Sequence, residues 1–175
     1  MNRFIILSGC SGGGKSTLLA ELARRGYATV PEPGRRIIAE ETLIGGSALP
    51  WLDLAAFARR AIEMALDDRT KAEGSGWTFF DRGLIDAAAA LQHVTGEPVL
   101  EELGRLHRYH RRVFLTPPWP DIYGTDADRR HGFAAAAAEY QRLTDAYALL
   151  DYEIVIMPKT AVEERADVLI TALGR

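Results

Sequence analysis

A chain of 175 residues, 47% hydrophobic and 26% charged with a formal charge of −3, suits one soluble globular domain over residues 1–175 and lacks the basic excess of a nucleic-acid binder. The lone Cys10 excludes an intramolecular disulfide and a thiol-built metal cage. No stretch approaches the roughly 18 consecutive apolar residues of a membrane span, so a cytoplasmic protein with no nucleic-acid or membrane partner is expected, its oligomeric state left open.

"RFIILS" (3–8) is a continuous apolar run of the kind that forms a buried parallel strand. Lys15 to Arg25 follows as a helix, with Leu18, Leu19, Leu22 and Ala23 at helical spacing and Gly26 placed to cap its end. "YATVPEPG" (27–34) reads as a second strand stopped by prolines. A helix from Arg35 to about Leu43, a loop at 45–50 and a long amphipathic helix from about Asp53 to Glu73 come next. "WTFFD" (77–81) is the third strand. Helices over Leu84–Val94 and Val99 to about Tyr109 lead to a fourth strand, "RVFLT" (112–116), and a proline-rich loop. A helix from about Ala127 to Leu150, the strand "EIVIM" (153–157) and a helix over Ala161–Leu173 complete the chain. Strands alternating with helices imply right-handed crossovers and a parallel sheet covered on both faces, an α/β fold.

Between the first strand and the first helix, Gly9, Gly14, Lys15 and Ser16 satisfy G-x-x-x-x-G-K-[ST] in the context that this motif requires. Gly9, Cys10, Ser11, Gly12, Gly13, Gly14, Lys15, Ser16 and Thr17 are thus expected to cradle phosphates. Glycines let backbone N–H groups converge on an anion, and the helix start adds a positive dipole end. Lys15 is expected to reach the β and γ oxygens of ATP, the Ser16 hydroxyl to join a magnesium shell, and Thr17 to support the helix start. Cys10 reads as a small filler within the loop.

The remaining sequence discriminates among phosphate-loop proteins. A GTPase is expected to carry N-K-x-D, and "MPKT" (157–160) does not match it; a motor or switch ATPase is expected to need a further effector domain. "PEPGR" (31–35) sets Glu32 at the carboxyl end of strand two, where ligands of parallel sheets gather, either to grip or deprotonate a hydroxyl or merely as a carboxylate in a turn. "FFDRG" (79–83) delivers Asp81 and Arg82 to the same edge. Asp81 is expected to orient the metal shell or the acceptor and Arg82 to bind phosphate or substrate, the alternative being a structural ion pair. The loop "PPWPDIYGTDADRRHG" (117–132) leads into a helix whose Arg129 and Arg130 would act from a mobile lid at about 117–130, stabilising charge on the transferring phosphoryl group, or else stay solvated. Trp51 and Phe57 either line an acceptor pocket or anchor the long helix. "HRYH" (107–110) is read as surface.

Taken together, "GCSGGGKSTLLAEL", "PEPGRR", "LPWLDLAAFARRA", "FFDRGLIDA" and "DADRRHGFAAAAAEY" resemble, over nearly the whole chain, the predicted ATPases of the bacterial "AAA domain" family grouped with nicotinamide riboside kinase. More distantly, Glu32 and the Asp81–Arg82 pair resemble the strand-two acidic motif and strand-three D/E-R motif of thymidylate and deoxynucleoside kinases. The resemblance implies ATP binding and a P-loop three-layer sandwich of nucleoside or nucleotide kinase type, its five parallel strands ordered 2-3-1-4-5. The leading expectation is an ATP- and magnesium-dependent phosphotransferase acting on a small acceptor of nucleoside-like or nucleotide-like kind. The other is a nucleotide-binding regulator or slow ATPase switch.

Overall fold

The computed structural model describes residues 2–72, 75–122 and 127–174, and their side chains except at 122 and 127–131. Five parallel strands, β1 (Phe4–Gly9), β2 (Ala28–Val30), β3 (Thr78–Asp81), β4 (Arg112–Thr116) and β5 (Glu153–Ile156), lie in the order β2-β3-β1-β4-β5, as the resemblance implies. The connecting helices are α1 (Lys15–Arg24), α2 (Pro33–Ile44), α3 (Leu54–Lys71), α4 (Leu84–Thr95), α5 (Leu100–Leu106), α6 (Ala127–Leu149) and α7 (Val162–Ala172), with a short 3-10 turn at Pro120–Ile122.

The period of two along each strand builds a layer on either face of the sheet. Ile5, Leu7, Phe79 and Phe114 pack against Leu18 and Leu22 of α1 and Ala166 and Leu169 of α7. Their neighbours Ile6, Phe80, Val113 and Leu115 face the opposite way, onto Leu84, Ile85 and Ala88 of α4 and Ala146 and Tyr147 of α6. The chain leaves β1 towards β2, returns to place β3 between them, and then crosses to β4. That reversal opens a crevice at the carboxyl ends of β1 and β3, where Leu7 is in register with Asp81.

Element boundaries follow the sequence patterns closely, with two departures. Helix α2 starts at Pro33, ahead of Arg35, because proline's fixed φ suits the first helical turn. Helix α5 stops at Leu106, short of Tyr109, and the surface reading of "HRYH" fails for its second half. Tyr109 and His110 are both 3% exposed. The Tyr109 hydroxyl accepts from the Leu84 amide at 3.2 Å, and the His110 amide donates to the Phe4 carbonyl at 2.8 Å. Burial accordingly lowers the imidazole pKa of His110.

A buried polar knot ties β1 to the α4–α6 layer. Asp86 accepts from the Ser8 hydroxyl, from the Tyr147 hydroxyl at 2.7 Å and from the Gly83 amide at 3.1 Å. Burial raises the Asp86 carboxyl pKa and, with the facing Asp86 charge, raises that of the Tyr147 phenol. Removing the acceptor strands all three donors in a dry layer. Asp86→Ala is therefore expected to lower unfolding free energy by about 3 kcal/mol or more, and Tyr147→Phe by about 1 kcal/mol, in urea titrations.

Candidate functional site

The loop after β1 is shaped by contact with β4. Gly9 has φ 117°, and a Cβ there would fall 2.2 Å from the Thr116 carbonyl oxygen; one at Gly13 would fall 2.4 Å from Thr116 Oγ1. Fully buried Thr116, at the end of β4, thus requires glycine at both positions, while its hydroxyl donates to the Ser8 carbonyl at 3.2 Å. Cys10 is fully buried with Sγ 4.0 Å from the Thr116 carbonyl, the filler role its size suggested. On the outer side, Arg165 of α7 directs Nη1 to the Gly13 carbonyl at 3.5 Å, and its guanidinium lies 5.6 Å from the Trp119 ring centroid. Burial lowers the Arg165 pKa.

Lys15 is buried and folds back over the loop, Nζ donating to the carbonyls of Cys10 at 2.6 Å and Gly9 at 3.4 Å. Burial, followed by repulsion from Arg82, depresses its pKa against the opposing pull of Asp81, Glu32 and Asp86. Next to it, the Ser16 hydroxyl donates to Asp81 Oδ2 at 3.0 Å. Asp81 is 2% exposed, and its Oδ1 is buried without a hydrogen-bond partner. Burial raises the Asp81 pKa, the neighbouring Lys15 only partly opposing it. A hydroxyl and an unsatisfied carboxylate oxygen beside a phosphate loop form the hard oxygen donor set that suits magnesium. Among the described residues no cluster of three or more His, Cys, Asp and Glu gathers, so the rest of such a shell would come from phosphate and water.

Arg82 follows directly in a left-handed turn with φ 60°, its amide donating to the Leu7 carbonyl at 2.8 Å. This turn sends the guanidinium between two carboxylates: Nη1 is 2.9 Å from Glu139 Oε1 of α6, and Nε is 3.5 Å from Glu32 Oε1. Burial works against the charge on Arg82, but Glu139, Glu32 and Asp86 more than reverse this and raise its pKa. Glu32 stands at the N-cap of α2 without capping it; its side chain pairs instead with Arg82 and, at 3.4 Å, with exposed Arg35.

Glu32 joins two spaces. On one side a cavity of about 220 Å³ is lined by Ser11, Gly12, Gly14, Lys15, Ser16 and Thr17. On the other a cavity of about 230 Å³ runs between α3, α4 and α6, with Phe57, Ala58, Ala61, Ala87, Ala90 and Glu139 among its walls. The structure therefore brings Lys15, Ser16, Glu32, Asp81 and Arg82 together. Phe57 lines the second cavity, whereas Trp51 is 65% exposed and anchors nothing, because the turn before α3 carries it outward. Residues 123–126 of the expected lid and the side chains of Arg129 and Arg130 lie outside the described residues.

Sequence reasoning missed Asp86, Glu139, Thr116 and Arg165. For Asp86 a signal existed: in "FFDRGLIDAAAA" it is a lone carboxylate within an apolar helix start, three residues after a glycine. Glu139 ends an alanine run without any local mark of function.

A family model described as "AAA domain" matches residues 4–165. A probable thymidylate kinase of Pyrobaculum calidifontis is 29% identical over 102 residues, which make up 55% of this chain and 53% of that protein, so the match reaches about half the length of the relative. Among solved structures, thymidylate kinase from Ehrlichia chaffeensis superposes with a TM-score of 0.64 at 16% identity, covering 98% of both chains. NadR protein in complex with NAD and AMP-PNP superposes with a TM-score of 0.67 at 20% identity, covering 99% of this chain and 50% of that one. Both likenesses are of fold.

The raised pKa of Asp81 means that its folded surroundings disfavour the carboxylate. Proton linkage then makes wild-type stability fall as pH rises from the ordinary aspartate range through the raised folded value. Asp81→Asn, a neutral isostere, is expected to melt higher than wild type at neutral pH without nucleotide. The gap should close as the buffer is acidified, as thermal melts across a pH series would show.

Proposed function

The chain belongs to the AAA domain family, and on that premise we propose that it is an ATP- and magnesium-dependent phosphotransferase acting on a small acceptor, working in the cytosol. The carrying observation is Glu32, a carboxylate set between the phosphate-loop cavity and a second, largely apolar one. A hydrolytic switch has no need of that second pocket. A kinase does, because its acceptor hydroxyl must approach the phosphoryl group in line and lose a proton.

In this reading the backbone N–H groups of the loop bind the polyphosphate, and Lys15 exchanges the carbonyls of Cys10 and Gly9 for phosphate oxygens. Ser16 and Asp81 would hold magnesium, which when bound neutralises charge on the β and γ oxygens. Glu32 orients the acceptor hydroxyl and takes its proton. Arg82 holds Glu32 in place from the floor of the acceptor pocket. Arg129 and Arg130 would act from the lid segment on charge that develops during transfer.

The alternative, a regulator or slow ATPase, parts from this reading in one experiment. Release of ADP from Mg-ATP is measured with and without a library of hydroxyl-bearing metabolites. Stimulation with transfer of the label to a metabolite is expected; turnover indifferent to the whole library, with capture of a macromolecular partner instead, would favour the switch.

Lys15→Ala is expected to abolish most Mg-ATP affinity in calorimetry while the protein stays folded, since the side chain's partners are its own loop carbonyls. Glu32→Gln is expected to cut phosphoryl transfer by about 100-fold to 10,000-fold with little change in ATP affinity. Wild-type kinetics in that variant would return Glu32 to a turn carboxylate.

A further inference from the structure

Arg165 is a buried cation that the proposed phosphotransferase leaves without a task. It stands near the N-terminus of α7, where the helix dipole disfavours positive charge, and is 6% exposed. Lys15, the other lysine or arginine so deeply buried among the described residues, lies in the field of Asp81, Glu32 and Asp86. Arg165 has no such company: its acidic neighbours in sequence, Glu163, Glu164 and Asp167, are exposed, and burial alone acts on its charge. Nη1 donates to the Gly13 carbonyl at a long 3.5 Å, the Trp119 ring centroid lies 5.6 Å from the guanidinium, and Nε is buried without a partner. A guanidinium stays charged even so, and a buried charge without a counter-charge works against folding.

Where the guanidinium lies says what balances it. A Cβ on Gly14 would fall 2.7 Å from Nη1, so the group presses on the phosphate loop at the residue where the loop turns into α1. In a trans peptide the carbonyl and the following N–H point opposite ways, and the described residues contain no cis peptide. With the Gly13 carbonyl turned to Arg165, the Gly14 N–H is turned away from it. Gly14, with Gly12, Lys15 and Ser16, borders the phosphate-loop cavity, whereas Arg165 and Gly13 do not. A donor on the carbonyl also polarises the peptide and strengthens its N–H as a donor to an anion.

Resting on the reading that this loop holds the polyphosphate of Mg-ATP, we propose that Arg165 is a positioning residue of the loop, acting on it from behind without touching phosphate. It fixes the Gly13–Gly14 peptide with its N–H toward the anion, and it supplies an uncompensated positive charge that the bound phosphates balance. Trp119 steadies the guanidinium by cation–π attraction.

Calorimetry with Mg-ATP and Mg-ADP, and thermal melts with and without Mg-ATP, would compare wild type with Arg165→Met, which keeps the apolar stem and removes the charge. The loss of affinity is expected to grow with ligand charge, about 10-fold to 30-fold for Mg-ATP and about 3-fold to 5-fold for Mg-ADP. Empty Arg165→Met is expected to melt no lower than wild type, because an uncompensated buried charge has gone, yet to gain less stability from Mg-ATP. Arg165→Lys, which restores the charge, is expected to bring Mg-ATP affinity back to within about 3-fold to 5-fold of wild type. An Arg165→Met protein that binds Mg-ATP as wild type does would overturn the inference and leave the phosphotransferase reading standing. Wild type that binds no Mg-ATP would overturn both. Equal losses for Mg-ATP and Mg-ADP would make Arg165 a surface for the base, and a folded but empty variant melting well below wild type would make it a structural clamp; either result overturns the inference. Were Arg165→Met not to fold, Arg165→Gln, which is polar and uncharged, carries the same expectations and is read in the same way.

Discussion

The convergence of the site's charged residues depends on one largely buried guanidinium held among carboxylates. Arg82 is held by Glu32 from the β2–α2 junction and Glu139 from α6, feels the charge of Asp86 from α4, and is fastened to β1 through its amide. A buried cation of this kind costs several kcal/mol to desolvate unless partners surround it. The pairings therefore work in both directions: the carboxylates keep Arg82 charged, and Arg82 draws four otherwise separate elements to one edge of the sheet.

A second constraint fixes the phosphate loop. Because Thr116 fills the space beside it, the backbone at Gly9 and Gly13 approaches β4 more closely than any side chain would allow. Lys15 and Asp81, side by side and both buried, are held in disfavoured charge states, with the Lys15 pKa lowered and that of Asp81 raised by the same loss of water. Such frustration is common where a site is built for ligand charge and not for its own stability. Phosphate and a divalent cation are the charges that would relieve it.

The arrangement also separates two tasks. Lys15, Ser16 and Asp81 sit on the loop and strand tips of the sheet's rigid centre, whereas the second cavity is walled by helices α3, α4 and α6. Glu32 is the only one of the sequence-identified site residues that lines both spaces among the cavities described, and it is freed for this by not capping its own helix. The phosphate-loop cavity and the second cavity are thereby coupled through one carboxylate and the arginine beside it.

Local pattern determined much of this protein. Apolar runs marked all five strands, helical spacing marked the helices, and the Gly9–Ser16 motif located the phosphate loop, because strand burial, helix amphipathicity and glycine backbone freedom are each written within a few neighbouring residues. Glu32, Asp81 and Arg82 were legible for the same reason, as charges placed directly at strand ends. The order of the strands rested on resemblance, since periodicity says which face a residue occupies and nothing about which strand lies beside it. What only the tertiary structure decided was partnership across the chain: Thr116 against Gly13, Asp86 beneath Ser8 and Tyr147, and Glu139 against Arg82. Tyr109 and His110, polar by composition, are buried with their rings against Phe80 and Trp77, and the Tyr109 hydroxyl meets the Leu84 amide there, contacts that no local rule contains. Burial and pairing belong to surfaces brought together by folding, and each of these contacts joins residues whose sequence separation hides them from one another.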